Sequence, residues 1–153
     1  MAETVVCVGA VVRRKDSVLL VRQSPGHSLE RQWTIPWGQI DRGESPTEAV
    51  MREIKEESGV AARVEGLLGV QELPAPWLGM IGILFLCTHV DGTPAPDLRE
   101  TDAARYFGPD QLDSIADSLE PFSAWLVRRV IANDFKLLRM NNSGPFVPSP
   151  TYL

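Results

Sequence analysis

Cysteine, long apolar runs and positive charge are all scarce in this chain of 153 residues. The two cysteines, Cys7 and Cys87, fall in different predicted strands, so we expect free buried thiols of a reducing compartment and no disulfide framework. No apolar run approaches the roughly 20 residues of a membrane span, and the N-terminal stretch MAETVVCVGAVV lacks the basic region of a secretory leader. We therefore expect a cytoplasmic protein with no membrane partner.

The charge that is present is mostly negative. The net charge is −5, and residues 41–57 carry six acidic and three basic side chains, which amounts to −3. Without a basic stripe the chain has no electrostatic footprint for nucleic acid, so we expect no nucleic-acid partner. A small phosphorylated molecule stays compatible, because metal ions can bridge it to acidic side chains.

The order of the predicted elements indicates one α/β domain with a mixed sheet over residues 1–139. β-branched and apolar segments predict strands at 4–13, 17–22, 62–73, 80–90 and 104–107, with the first two forming a hairpin and 80–90 central. A long helix is predicted over 118–139, with a core-facing stripe of Phe122, Trp125, Leu126 and Val130. Three prolines, a glycine and an asparagine pair predict a tail without regular structure over 140–153.

A polar loop at 38–44 leads into the most informative helix of the chain. Ser45 is a helix-capping residue, Pro46 suits the first helical position, and Glu48 completes the S-x-x-E capping box. Gly59 stands where a left-handed residue would end the helix.

Three carboxylates share one face of this helix. Glu53, Glu56 and Glu57 stand at i, i+3 and i+4, a spacing at which like charges oppose the helix. One interpretation is a solvated acidic face. The other is a site for a hard divalent cation, which takes oxygen ligands; Mg²⁺ pairs a few carboxylates with substrate phosphates.

The full pattern from Gly38 to Val60 reads G-x5-E-x7-R-E-U-x-E-E-x-G-U, where U is aliphatic, with Glu44, Arg52 and Ile54 at their specified positions. It resembles the Nudix box at every specified position. The resemblance implies an α/β/α sandwich and a hydrolase that uses Mg²⁺, with Mn²⁺ as a possible substitute. Its reaction is water attack on the pyrophosphate of a nucleoside diphosphate linked to another moiety.

The resemblance also implies roles for individual residues. Its metal ligands map onto Glu53, Glu56, Glu57 and the backbone carbonyl of Gly38, and Arg52 maps onto an orienting partner of Glu44. Glu100 matches a position that often supplies a further carboxylate, with a solvated loop acid as the alternative. Family members differ over which glutamate is the general base.

The sequence does not decide between several possible substrates. Trp37 replaces the glycine that usually precedes the box, so its indole either stacks on a nucleobase or packs on the loop, and Trp77 poses the same choice. Arg22, Arg31 and Gln39 are candidate phosphate or base contacts, or else exposed solvated side chains. Nucleotide sugars, ADP-ribose, dinucleoside polyphosphates and nucleoside triphosphates all fit, for a monomer or a homodimer. The rival interpretations are a Nudix-fold module that binds a nucleotide without cleaving it and an interaction protein that docks through the acidic helix.

Overall fold

The computed structural model describes residues 4–146 and 148–153. Its strands are β1 Val6–Arg14, β2 Ser17–Gln23, β3 Trp33–Thr34, β4 Trp37–Gln39, β5 Ala61–Glu72, β6 Ile81–Asp91, β7 Thr101–Phe107, β8 Leu138–Asn141 and β9 Thr151–Tyr152. Its α-helices are α1 Pro46–Ser58, α2 Pro109–Ser114 and α3 Pro121–Ile131, with a 3-10 turn at Ala116–Ser118. In the described residues no helix combines the length and apolarity that a bilayer crossing requires.

The strands form one mixed sheet in the order β3-β2-β1-β6-β5-β8-β9. β1 and β2 are an antiparallel hairpin, as predicted, whereas β1 and β6 run parallel with Val6 opposite Ile81. β6 lies between β1 and β5, which confirms its predicted central position. Two strands lie off this path: β4 pairs with β1 and β7 pairs with β2.

The sheet has a hydrophobic core on each face, because side chains along a strand point to alternate sides. In β6, Leu84 and Leu86 belong to one core and Phe85 to the other. Helix α3 covers the first core with Leu126, Val127 and Val130. Helix α1 covers the second with Ala49, Val50 and Ile54. This layering confirms the α/β/α sandwich. Both cysteines are free and buried.

Helix α1 begins and ends as its sequence predicts. The Ser45 side chain accepts a hydrogen bond from the Glu48 N–H at 3.2 Å, and the Glu48 carboxylate accepts one from the Ser45 N–H at 2.9 Å. Gly59 ends the helix in the left-handed region, at φ 71°. The glutamates of α1 are therefore held on a helix with both ends capped.

The predicted helix over 118–139 is too long at both ends. Helix α3 starts at Pro121, where Glu120 caps it by accepting hydrogen bonds from the N–H groups of Phe122 and Ser123. It stops at Ile131, and Asn133 then adopts a positive φ of 54°. The stripe is also only partly core, since Trp125 is 54% exposed.

The tail over 140–153 is more regular than predicted. β8 extends to Asn141, and β9 pairs with it through Met140 opposite Tyr152. The Tyr152 ring packs edge-on against Phe85 at 5.6 Å, and its hydroxyl shares a 2.7 Å hydrogen bond with Thr47 in the first turn of α1. A strand of two residues has no periodicity that a sequence could show, so this anchoring emerges only in the fold. Val147 lies outside the described residues.

Candidate active site

Three carboxylates from two elements converge at the C-terminal half of α1. Glu53, Glu57 and Glu100 each offer an oxygen, and these oxygens all lie within 4.8 Å of one another. Glu53 and Glu57 are only 6% and 2% exposed, whereas Glu100 is partly exposed. Such a set of hard oxygen donors, with one side open to solvent, fits a divalent cation.

The loop before β7 delivers Glu100 to the helix. One Asp97 carboxylate oxygen accepts hydrogen bonds from the backbone N–H groups of Arg99, Glu100 and Thr101, at 2.9, 2.9 and 3.0 Å. The Thr101 hydroxyl then donates to the backbone carbonyl of Glu57 at 2.7 Å. Asp97 and Thr101 thus tie the loop to the helix, and sequence reasoning missed both.

Burial and mutual repulsion make this cluster costly to ionise. Burial, with nearby Glu56 and Glu100 adding to it, raises the pKa of Glu53 to about 7, although Arg52 opposes the shift. Burial is also the main cause that raises the pKa of Glu57 well above its ordinary value, and the charge of Glu53 adds to it. Perturbed carboxylates of this kind concentrate at functional sites.

Arg52 holds the carboxylates around the cluster in place. Its guanidinium donates two hydrogen bonds to the Glu44 carboxylate, Nε to Oε1 at 2.7 Å and Nη2 to Oε2 at 3.0 Å, which is the predicted pairing. The same side chain donates to Glu53 at 2.8 Å and to the Gln39 carbonyl at 3.0 Å. The hydrogen bond from Arg52 is the main cause that lowers the pKa of Glu44.

Glu56 occupies a different place from the other two glutamates of its face. Its side chain is 54% exposed and lies 3.2 Å from Arg52, outside the three-carboxylate cluster. Its assignment as a metal ligand stays a prediction.

Gly38 lies directly against the cluster, in strand β4. A Cβ at this position would stand 2.1 Å from the Glu53 carboxyl carbon and 2.2 Å from one of its oxygens. Any side chain here would displace Glu53, so the glycine leaves room for the carboxylate.

An apolar cleft opens beside the carboxylates, and Trp37 joins the two. The backbone N–H of Trp37 donates to Glu57 Oε2 at 3.3 Å. The residue is half-buried and lines a cleft of about 660 Å³ including its mouth. Trp77, Leu73 and Phe122 line the same space, as do the polar side chains of Gln71 and Glu120. Apolar walls with a few polar groups are typical of small-molecule sites.

The other predicted substrate contacts lie away from this cleft. Arg22 forms an ion pair with Asp102, with Nε 2.6 Å from Oδ1, and the side chain of Gln39 is exposed. Glu120 and Phe122, which do line the cleft, were missed. The available signal was the Glu-Pro pair at 120–121, which marks a helix start.

Comparison with known proteins settles the family. A family model for the NUDIX domain matches residues 3–127. The chain belongs to the Nudix family. The resemblance of the Nudix box is thereby confirmed.

Two relatives illustrate the range within the family. The chain is 30% identical over 116 residues to an ADP-ribose pyrophosphatase of Methanocaldococcus jannaschii, covering 72% of this chain and 66% of that protein. It is also 30% identical over 135 residues to the NAD-capped RNA hydrolase NudC of Klebsiella pneumoniae, covering 87% of this chain and 48% of that protein. The match thus spans less than two thirds of either relative's length.

Solved structures agree on the Nudix fold. A NUDIX hydrolase from Nitrosomonas europaea aligns with a TM-score of 0.77 at 21% identity, over 87% of this chain and 73% of the other. A MutT NUDIX hydrolase from Burkholderia pseudomallei aligns with a TM-score of 0.70 at 25% identity, over 84% and 99%.

Proposed function

We propose that this Nudix protein is a pyrophosphohydrolase that depends on a divalent metal ion. It cleaves the pyrophosphate of a nucleoside diphosphate linked to another moiety. The observation that carries the proposal is the cluster of Glu53, Glu57 and Glu100, whose oxygens lie within 4.8 Å of one another beside an aromatic cleft.

The residues that would hold Mg²⁺ are Glu53, Glu57 and Glu100, with Glu56 and the Gly38 carbonyl as the further ligands that the Nudix box implies. When bound, the ion neutralises pyrophosphate charge and acidifies a water molecule. Mn²⁺ has similar ligand preferences and is the natural second ion to test.

The hydrogen bonds of the carboxylates limit which of them can act as the general base that accepts a proton from water. Both oxygens of Glu44 are engaged by Arg52, and Glu44 Oε2 also accepts from the Asp41 N–H at 3.1 Å, which makes Glu44 a weak proton acceptor. Glu53 has one oxygen beyond the one that Arg52 holds, and Glu100 is partly exposed. Glu56 also has one oxygen that Arg52 does not hold. We therefore set Glu44 aside and keep Glu53, Glu56 and Glu100 as candidates for the general base.

Hydrolysis of the pyrophosphate needs no reactant other than the substrate and water. The water oxygen forms a bond to phosphorus, the anhydride P–O bond breaks, and the carboxylate takes the water's proton before releasing it to solvent. Arg52 contributes by fixing Glu44 and Glu53, the role of a residue that orients others.

The cleft is where the nucleoside fits best. The indoles of Trp37 and Trp77 offer stacking surfaces, and each stacked base contributes about 1–3 kcal/mol. The Glu120 carboxylate adds acceptors for the N–H groups of a base. A small nucleotide is thus the expected partner, for a cytoplasmic monomer or homodimer.

A substrate screen tests the proposal. It combines ADP-ribose, nucleotide sugars, dinucleoside polyphosphates, nucleoside triphosphates and NAD-capped RNA with Mg²⁺, Mn²⁺ or a chelator. We expect turnover of at least one small nucleotide that the chelator abolishes. Binding without turnover would instead identify a non-catalytic module, and turnover of capped RNA alone would overturn the small-molecule assignment.

A further inference from the structure

A second groove adjoins the cleft, along helix α3. The two spaces share Gln71, Leu84 and Phe122, and the second has a volume of about 730 Å³ including its mouth. We name it the distal groove; its other walls include Val70, Trp125, Arg129, Phe135 and Lys136. The two spaces are therefore neighbours on the surface, so one ligand that passes over their shared residues could occupy both.

The distal groove carries positive charge on a protein whose net charge is −5. Arg129 and Lys136 both line it, and the Arg13 guanidinium lies 6.0 Å from the ring centroid of Phe135. Arg129 is partly engaged, because it pairs with Asp134 at 3.2 Å. Lys136 forms no ion pair with any residue in the described part of the chain, so its charge is the one most available to a ligand.

An aromatic surface stands next to these cations. Trp125 is 54% exposed, and the Arg129 guanidinium lies 5.1 Å from the centroid of its ring. An indole stacked with a guanidinium can support a sugar or base while the cations bind a phosphate. Both residues line a groove that adjoins the cleft, which distinguishes this pair from an isolated surface tryptophan.

We propose that the distal groove binds a phosphate carried by the nucleoside itself, remote from the pyrophosphate. The inference rests on the proposed function, because it places the nucleoside in the cleft with its pyrophosphate toward Glu53 and Glu57. The phosphate extends from the ribose toward Lys136 and Arg129. Its source is a ribose phosphate monoester or the phosphodiester of a following nucleotide, and the test separates the two.

Equilibrium binding in the presence of Mg²⁺ tests this without requiring turnover. The ligands are adenosine and guanosine 5′-monophosphates, the matching 3′,5′-bisphosphates and the 5′-phosphorylated dinucleotides. The variants are Lys136→Gln, Lys136→Arg and the control Lys15→Gln, which removes an exposed lysine from the β1–β2 turn, outside the distal groove.

We expect the wild-type protein to bind a bisphosphate or a dinucleotide more tightly than the monophosphate. A surface charge pair contributes up to about 1 kcal/mol, so Lys136→Gln should weaken that ligand about two- to fivefold and leave the monophosphate unchanged. Lys136→Arg and Lys15→Gln should keep the preference. Preference for the bisphosphate alone indicates the monoester, and preference for the dinucleotide indicates the phosphodiester.

Equal binding of all three ligands, or a preference that Lys136→Gln leaves unchanged in size, would overturn the inference. Metal-dependent turnover of simple nucleotides, measured on the same proteins, tests the proposed function separately. Turnover with equal binding would leave the hydrolase standing and remove the distal phosphate site.

Discussion

Replacing Glu57 by glutamine should show two things separately: how much the carboxylate cluster destabilises the metal-free protein, and how much it contributes to Mg²⁺ binding and turnover. Glu57 is 2% exposed, and its oxygen lies within 4.8 Å of oxygens from Glu53 and Glu100. At that separation and an effective dielectric constant near 20, two full charges repel by about 3.5 kcal/mol or more. Glutamine has nearly the same side-chain volume as glutamate, and its amide oxygen can still accept the hydrogen bond from the backbone N–H of Trp37.

The metal-free variant should therefore be more stable than the wild type. Protonation already relieves part of the repulsion, so we expect a gain of about 1–3 kcal/mol, or roughly 2–12 °C in Tm for a chain of this size. For the wild type, Mg²⁺ at 100 times its Kd should add about 2.7 kcal/mol, or roughly 5–11 °C. The variant should lose most of that response, and its turnover should fall more than about 100-fold.

Thermal unfolding with and without Mg²⁺, together with turnover, measures all three effects. Glu72→Gln is the matched control, since it makes the same substitution at an exposed position at the end of β5. A Glu57→Gln variant with a wild-type Mg²⁺ response and rate would refute the assignment of Glu57 as a ligand. A metal-free variant that is clearly less stable would refute the repulsion argument.

Three further substitutions test the surroundings of the cluster. Gly38→Ala should sharply lower turnover and weaken the Mg²⁺-induced Tm shift with little loss of metal-free stability, because its Cβ displaces the flexible end of Glu53; normal turnover would contradict this. Arg52→Ala should lower turnover about 10–100-fold, and Arg52→Lys should fail to restore it, since an ammonium cannot grip Glu44 with two bonds. Full rescue by lysine would refute the two-bond role. Trp37→Ala should raise KM by about 5- to 150-fold, for 1–3 kcal/mol of stacking, at nearly constant Tm; a stability loss of about 3–5 kcal/mol with unchanged KM would show packing instead.

The parts of the site that lie within one helix were predictable. Capping at Ser45 and Gly59 and the shared face of Glu53 and Glu57 depend on residues a few positions apart, so local rules suffice. The pairing of Arg52 with Glu44 was also anticipated, since the Nudix box carries both residues.

The parts that depend on tertiary packing were predicted less well. The Glu-Pro pair at 120–121 marks the start of α3, but Glu120 and Phe122 reach the cleft only because this helix packs across the sheet, which no local pattern indicates. The end of α3 was misjudged because the helix was extended to residue 139, although the stripe that indicated it ends at Val130. In the fold, Leu138 and Arg139 instead pair with Leu67 and Gly66 of β5, an interaction over some 70 residues of sequence.

The most direct test of the metal-dependent hydrolase is turnover in H₂¹⁸O, with mass spectrometry of the products. The wild type with Mg²⁺ should place one ¹⁸O on a phosphorus of one product, the chelated protein should show no turnover, and Glu53→Gln should be slower by orders of magnitude. Label on carbon, turnover that survives chelation, or a Glu53→Gln variant as fast as wild type would contradict the account.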